Sequence, residues 1–130
     1  MASPASPSGG PTNLGMAPNV AATLCYFPLC CVGAIMSIVA AIVEKQSRFV
    51  RFHAFQSLLV HGVLIVVIIA MQVFSVLLSM VSGLLGLLFT AVFGLLGLGI
   101  LAAMIFLMIK AYNGEEYELP LLGQMARGWV

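Results

Sequence analysis

The sequence predicts an all-α, polytopic membrane protein of three transmembrane helices with a short cytoplasmic C-terminal tail. Three observations carry that prediction. Of 130 residues, 62% are hydrophobic and only 7% charged, where a soluble domain carries about 25% charged side chains. Mean hydropathy is +1.17, and a chain this small buries too little of its surface to hide so much apolar side chain from water. From Ala54 to Ile109 there is no Asp, Glu, Lys or Arg, a stretch too long for one bilayer crossing of about 20 residues and long enough for two.

Residues 1–18, MASPASPSGGPTNLGMAP, are uncharged and rich in Pro, Ser and Gly. They cannot build a core and read as a flexible arm unless a partner holds it. The arm has no basic stretch that would open a signal peptide, and Ala2 offers no myristoylation site. The apolar run Val20 to Val43 predicts a helix near 19–44, with Pro18 in its first turn and Pro28 kinking it. The second and third helices fall near 54–80 and 84–111, broken where serines and glycines cluster in SMVSGLLG, Ser79 to Gly86. The three helices make a transmembrane domain over 19–111, and 112–130 form a cytoplasmic interfacial tail.

All charged side chains lie in two clusters: Glu44, Lys45, Arg48 and Arg51, then Lys110, Glu115, Glu116, Glu118 and Arg127. Three spans put both clusters on one side, and the positive-inside rule makes that side cytoplasmic. The expected location is the bacterial inner membrane, with the N-terminus outside and the C-terminus in the cytoplasm. Tyr112, Tyr117 and Trp129 suit an interfacial aromatic belt. A net charge of +1 supplies no field for nucleic acid. The partners implied are membrane lipids and other integral membrane proteins, in a larger complex or a homo-oligomer.

On a wheel of about 100° per residue, Ser57, His61, Gln72, Ser75 and Ser79 share one face of the second helix. Gly83, Gly86, Thr90, Gly94 and Gly97 make a stripe on the third, and Gly33, Ser37 and Ala41 repeat on the first with Cys30 beside them. Small and polar faces pack helices closely and supply interhelical hydrogen bonds, although such a face can also line a path. His61 reads as a hydrogen-bonded structural histidine, and haem or chlorophyll ligation at His61 is the alternative. No cofactor is predicted. Cys25, Cys30 and Cys31 lack the paired spacing of a zinc site, and no hydrolase, zinc-protease or phosphate-loop motif is present. The chain is expected not to be an enzyme.

The polar stretch RFVRFHAFQSLL (Arg48 to Leu59) and the tail AYNGEEYELPLLG (Ala111 to Gly123) resemble small prokaryotic membrane proteins related to the Tic twenty-kilodalton subunit of the chloroplast inner-envelope translocon. NVAATLCYFP, Asn19 to Pro28, is similar to that family's opening helix. The matching positions are Arg51, Phe52, His53, Ala54, Gln56 and Ser57, then Ala111, Tyr112, Gly114, Glu115, Tyr117, Leu119, Pro120 and Gly123. The resemblance implies a protein- or solute-translocating pore as one functional class. With both stretches on one surface, they predict a clasp in which Arg48 or Arg51 pairs with Glu115 or Glu116. His53 and Gln56 would hydrogen-bond the tail backbone, and Gly114 and Pro120 would turn it back. The same arginines suit lipid phosphates. The function expected is a non-enzymatic accessory subunit or assembly factor of a larger membrane complex.

Overall fold

A computed structural model describes residues 12–28 and 31–130, which form five helices and no strand. In chain order they are α1 (Pro18–Cys25), α2 (Val32–Val43), α3 (Arg48–Val81), α4 (Gly83–Tyr112) and α5 (Leu122–Trp129).

Among the described residues, only α3, with 34 residues, and α4, with 30, are long and apolar enough to cross a membrane. Ser82 alone joins them, in an extended conformation (φ −157, ψ 125), so they run antiparallel with Arg48 and Tyr112 at the same end. Hydroxyls and a missing side chain fasten the pair. Ser75 Oγ lies 2.7 Å from Thr90 Oγ1, which donates to Gly86 O at 2.9 Å. Ser79 occupies the space that a Cβ on Gly86 would need. Away from this seam the side chains are bare: Val66 is 67% exposed, Leu95 69% and Met80 80%. Apolar surface on that scale is stable only in hydrocarbon or against another protein.

The expected first transmembrane helix, 19–44, is two short helices instead. At 1.5 Å per residue α1 is about 12 Å long and α2 about 18 Å, and neither reaches across a core of about 30 Å. Pro28 explains the break, since proline lacks the N–H that would continue the ladder and clashes with the preceding turn. The freed Cys25 carbonyl accepts hydroxyls from Ser37 and Ser57. Gly33, with no side chain, lets the carbonyls of Cys25 and Phe27 come close. The two helices therefore fold as a hairpin. Its outer ends meet where Asn13 N donates to Glu44 Oε2 at 2.9 Å and Lys45 N to Asn13 Oδ1 at 2.8 Å.

Two expectations change with this. Asn19 Nδ2 donates to Tyr112 O at 3.2 Å, so residues 12–19 lie at the tail's end of the α3–α4 pair rather than opposite it. Residues 12–17 are also tied to the protein, with Thr12 buried and Leu14 and Met16 packed on the core, where a loose arm was expected. The arm's residues 1–11 and Cys30 lie outside the described residues.

The second helix starts at Arg48 rather than near 54, because Ser47 caps it by accepting from Val50 N at 3.3 Å. In the tail, Gly114 (φ 79) turns the chain out of α4, and Leu122–Trp129 form α5 against α3. The core is at this one end, where Ala21, Ala22, Cys25, Tyr26, Val50, Ala54 and Ala111 are fully buried.

Candidate functional site

The first three turns of α3 supply the site. Helical spacing puts Phe49, His53, Gln56 and Ser57 toward the hairpin and tail, and all four are buried. The end of α1 brings in Tyr26, also fully buried. His53 Nε2 is 3.1 Å from the carbonyl of Glu115, and Nδ1 is 3.0 Å from Tyr26 Oη. A carbonyl only accepts, so Nε2 carries the proton and Nδ1 accepts from the phenol. Gln56 is oriented by the same logic. Leu119 N donates to its Oε1 at 3.0 Å, while Nε2 donates to Tyr117 O at 3.0 Å and to Tyr26 Oη at 2.9 Å. The chain of donors runs Gln56 to Tyr26 to His53 to the Glu115 carbonyl. It joins α1, α3 and the tail with each of these donors and acceptors engaged.

Aromatic rings enclose the imidazole. Tyr26, Phe49 and Phe52 approach it edge-on, with centroids at 5.6, 4.6 and 5.2 Å. Gly123 seats α5 on the site: a Cβ there would strike Glu118 and come within 2.6 Å of Gln56 Oε1. Trp129 lies edge-on to Phe55 at 5.9 Å.

The ion pairs differ from those expected. Neither Arg48 nor Arg51 pairs with Glu115 or Glu116. Lys110 takes Glu115 at 2.8 Å, and Arg127 takes Glu116 at 3.1 Å and Glu118 at 3.0 Å. The reason is proximity: Lys110 lies five residues from Glu115, and α5 carries Arg127 back over Phe52, its guanidinium 4.4 Å from the ring. Desolvation lowers the Arg127 pKa, but hydrogen bonds to Glu118 and Glu116 outweigh it and hold the group above its usual value.

The polar face of α3 is divided between partners. Ser57 faces the Cys25 carbonyl, and His61 Nδ1 lies 2.8 Å from the Ser57 carbonyl. Ser75 and Ser79 serve the α4 seam with Gly86 and Thr90. Gln72 is exposed. With Ser75, Thr90, Gly94 and Gly97 it lines an apolar groove of about 550 Å³ between α3 and α4. Tyr112 is exposed, and its carbonyl receives Asn19. Pro120 is exposed in the turn before α5. Among the described residues no group of three His, Cys, Asp or Glu could hold a metal ion.

Tyr26 and Glu44 are the site residues that the sequence reading missed. Glu44 is fully buried and accepts from the backbone N–H of Asn13, Gln46 and Ser47 at 2.9, 2.8 and 3.0 Å. A lone tyrosine two residues before a proline in an apolar run was the available signal for Tyr26.

The family model described as the magnetosome magnetite crystal formation protein family (MamF_MmsF) matches residues 12–126. A UPF0132 membrane protein of Methanocaldococcus jannaschii is 36% identical over 119 residues, covering 90% of this chain and 92% of its own length. A second UPF0132 membrane protein of that archaeon is 29% identical over 113 residues, covering 87% and 70%. One from Archaeoglobus fulgidus is 32% identical over 111 residues, covering 85% and 93%. No solved structure matches.

Proposed function

The chain belongs to the magnetosome magnetite crystal formation protein family, and from that premise we propose that it is a non-enzymatic accessory subunit of a larger membrane assembly. Its relatives are named membrane proteins, and α3 and α4 have the length and composition to cross a bilayer. The observation that carries the subunit reading is the α3–α4 groove. Gln72, Gly94 and Gly97 line it among apolar side chains, and an exposed carboxamide set in apolar surface is stabilised when a neighbouring helix supplies its hydrogen bonds. Glycine notches let such a helix approach closely.

The clasp supports the same reading. Tyr26, His53 and Gln56 are engaged in binding the tail and α1, which suits them to holding shape rather than to turning over a substrate. The division of the Ser57–Ser79 face between the hairpin and α4 favours packing over a continuous pore. The magnetite role in the family's description comes to this chain as service to a mineral-forming membrane through protein contacts. Lys45, Arg48 and Arg51 favour a cytoplasmic clasp end under the positive-inside rule. In that orientation residues 12–17 share the cytoplasmic side with the tail.

Purification of the tagged native protein in mild detergent, with mass spectrometry, tests the proposal. Stoichiometric co-purification of a membrane assembly is expected, and its loss in Gly94→Leu, which fills the groove. A partner-free protein, or an assembly indifferent to Gly94→Leu, refutes it.

A further inference from the structure

The pairing of every clasp acid leaves a cationic face on α3. Glu115 is held by Lys110, and Glu116 and Glu118 by Arg127, while Glu44 is held by three backbone N–H groups. Lys45, Arg48 and Arg51 form no salt bridge among the described residues. Arg51 is the sharpest case. Its Nε is buried without a hydrogen-bond partner, and its guanidinium lies over the Phe55 ring at 5.7 Å. A guanidinium that meets no acceptor within its own chain is unfavourable, so an acceptor from outside the chain is favoured at the part of the half-buried Arg51 head that stays open. Arg48 opens on a polar crevice of about 260 Å³ shared with Phe52, Glu116 and Arg127.

Below these arginines, on the same face of α3, lies an apolar groove of about 370 Å³ lined by Leu58, Leu59, Gly62, Val63, Val66 and Val67. Its floor is Gly62, where an added Cβ would meet nothing. On a wheel of about 100° per residue, Arg48, Arg51, Phe55, Gly62 and Val66 fall within about 60° of one another. From Arg51 to Gly62 the helix rises about 16 Å, close to the depth of one leaflet, half of the roughly 30 Å hydrocarbon core.

We propose that this face of α3 binds an anionic phospholipid, its phosphate on Arg48 and Arg51 and an acyl chain in the groove at Gly62. Guanidinium forks match phosphate oxygens in pairs. The aromatic pair Phe55 and Trp129 covers the glycerol level, where such rings are favoured. The charge selects the headgroup and the notch selects a chain-bearing ligand over free phosphate. This inference does not depend on the subunit reading.

The test is native mass spectrometry of the full chain, titrated with phosphatidylglycerol and with phosphatidylcholine of the same acyl chains. Phosphatidylglycerol is expected to bind about 25-fold more tightly, about fivefold for each arginine. Arg48→Gln with Arg51→Gln abolishes that preference, whereas Arg48→Lys with Arg51→Lys retains most of it and controls for folding. Gly62→Leu weakens both lipids and leaves the preference between them. Equal binding of the two lipids by the native chain, or a preference that survives the double glutamine variant, overturns the headgroup site. Displacement of phosphatidylglycerol by equimolar inorganic phosphate, or binding unchanged in Gly62→Leu, overturns the lipid assignment.

Discussion

Replacing Gln56 with Met removes the hydrogen bonds of the clasp while keeping the side chain's length. The carboxamide is fully buried and makes three bonds: from Leu119 N at 3.0 Å, to Tyr117 O at 3.0 Å and to Tyr26 Oη at 2.9 Å. Two of these tie the tail, and His53 to Glu115 O at 3.1 Å remains as the third. At about 1 kcal/mol net per bond, the tail loses about 2 kcal/mol of local stability and the whole fold about 3 kcal/mol. The Leu119 amide, which is bonded to Gln56 alone, should then exchange about 30-fold faster, at 1.4 kcal/mol per factor of ten. Hydrogen–deuterium exchange of the detergent-purified protein measures this, with amides in the middle of α4 as the reference. A rate within threefold of the native chain would show that these bonds do not hold the tail. Tyr26→Phe sharpens the test, because its hydroxyl serves both Gln56 and His53. Since either substitution deletes the 26–56 bond, the double variant should lose about 1 kcal/mol less than the sum of the singles. Strict additivity refutes a shared network.

Three further outcomes are expected. Gly123→Ala pushes a methyl into Glu118 and Gln56, so it should destabilise by about 1–3 kcal/mol and separate Trp129 from Phe55, seen as a shift in tryptophan emission. At the α3–α4 seam, Ser75→Ala removes one interhelical bond and should cost only about 0.6 kcal/mol. Gly86→Ala should cost more, about 1–3 kcal/mol, because it meets the Ser79 side chain and backbone; SDS-induced unfolding ranks the two, and the reverse order contradicts the packing. The hairpin makes a topological prediction: cysteines at Asn13 and at Gln124, in a background without Cys25, Cys30 and Cys31, should react with a membrane-impermeant maleimide from the same side. Labelling from opposite sides would restore a third crossing.

What the sequence made legible follows from the range of each interaction. Membrane residence and the two long helices rest on composition over tens of residues, and α4 (Gly83–Tyr112) falls within a residue of the run expected near 84–111. The pairing of the His53–Gln56 element with the tail was accessible because two polar stretches in a greasy chain have few other surfaces to meet. The ionic partners were not accessible. Which cation reaches Glu115 depends on α4 still being helical at Lys110, and Arg127 becomes available only through the amphipathic turns of α5.

The hairpin is where local and long-range chemistry conflict most sharply. Over 24 residues the hydropathy of Val20 to Val43 satisfies a transmembrane helix, and Pro28 alone would permit a kink. A full break at membrane depth leaves backbone groups that lipid cannot satisfy. Here the Cys25 carbonyl finds Ser37 and Ser57, the Tyr26 phenol finds His53 and Gln56, and Gly33 makes room for the turn. Ser57 lies nine residues beyond Arg48, so the turn sits about 14 Å in from the start of α3, within the reach of that polar face. Residues that hydropathy scores as minor blemishes in apolar helices are thus the ones that choose the topology. Replacing Ser57 and Ser37 with alanine should therefore loosen the hairpin more than either change alone would suggest, because the second loss leaves the Cys25 carbonyl without any hydroxyl.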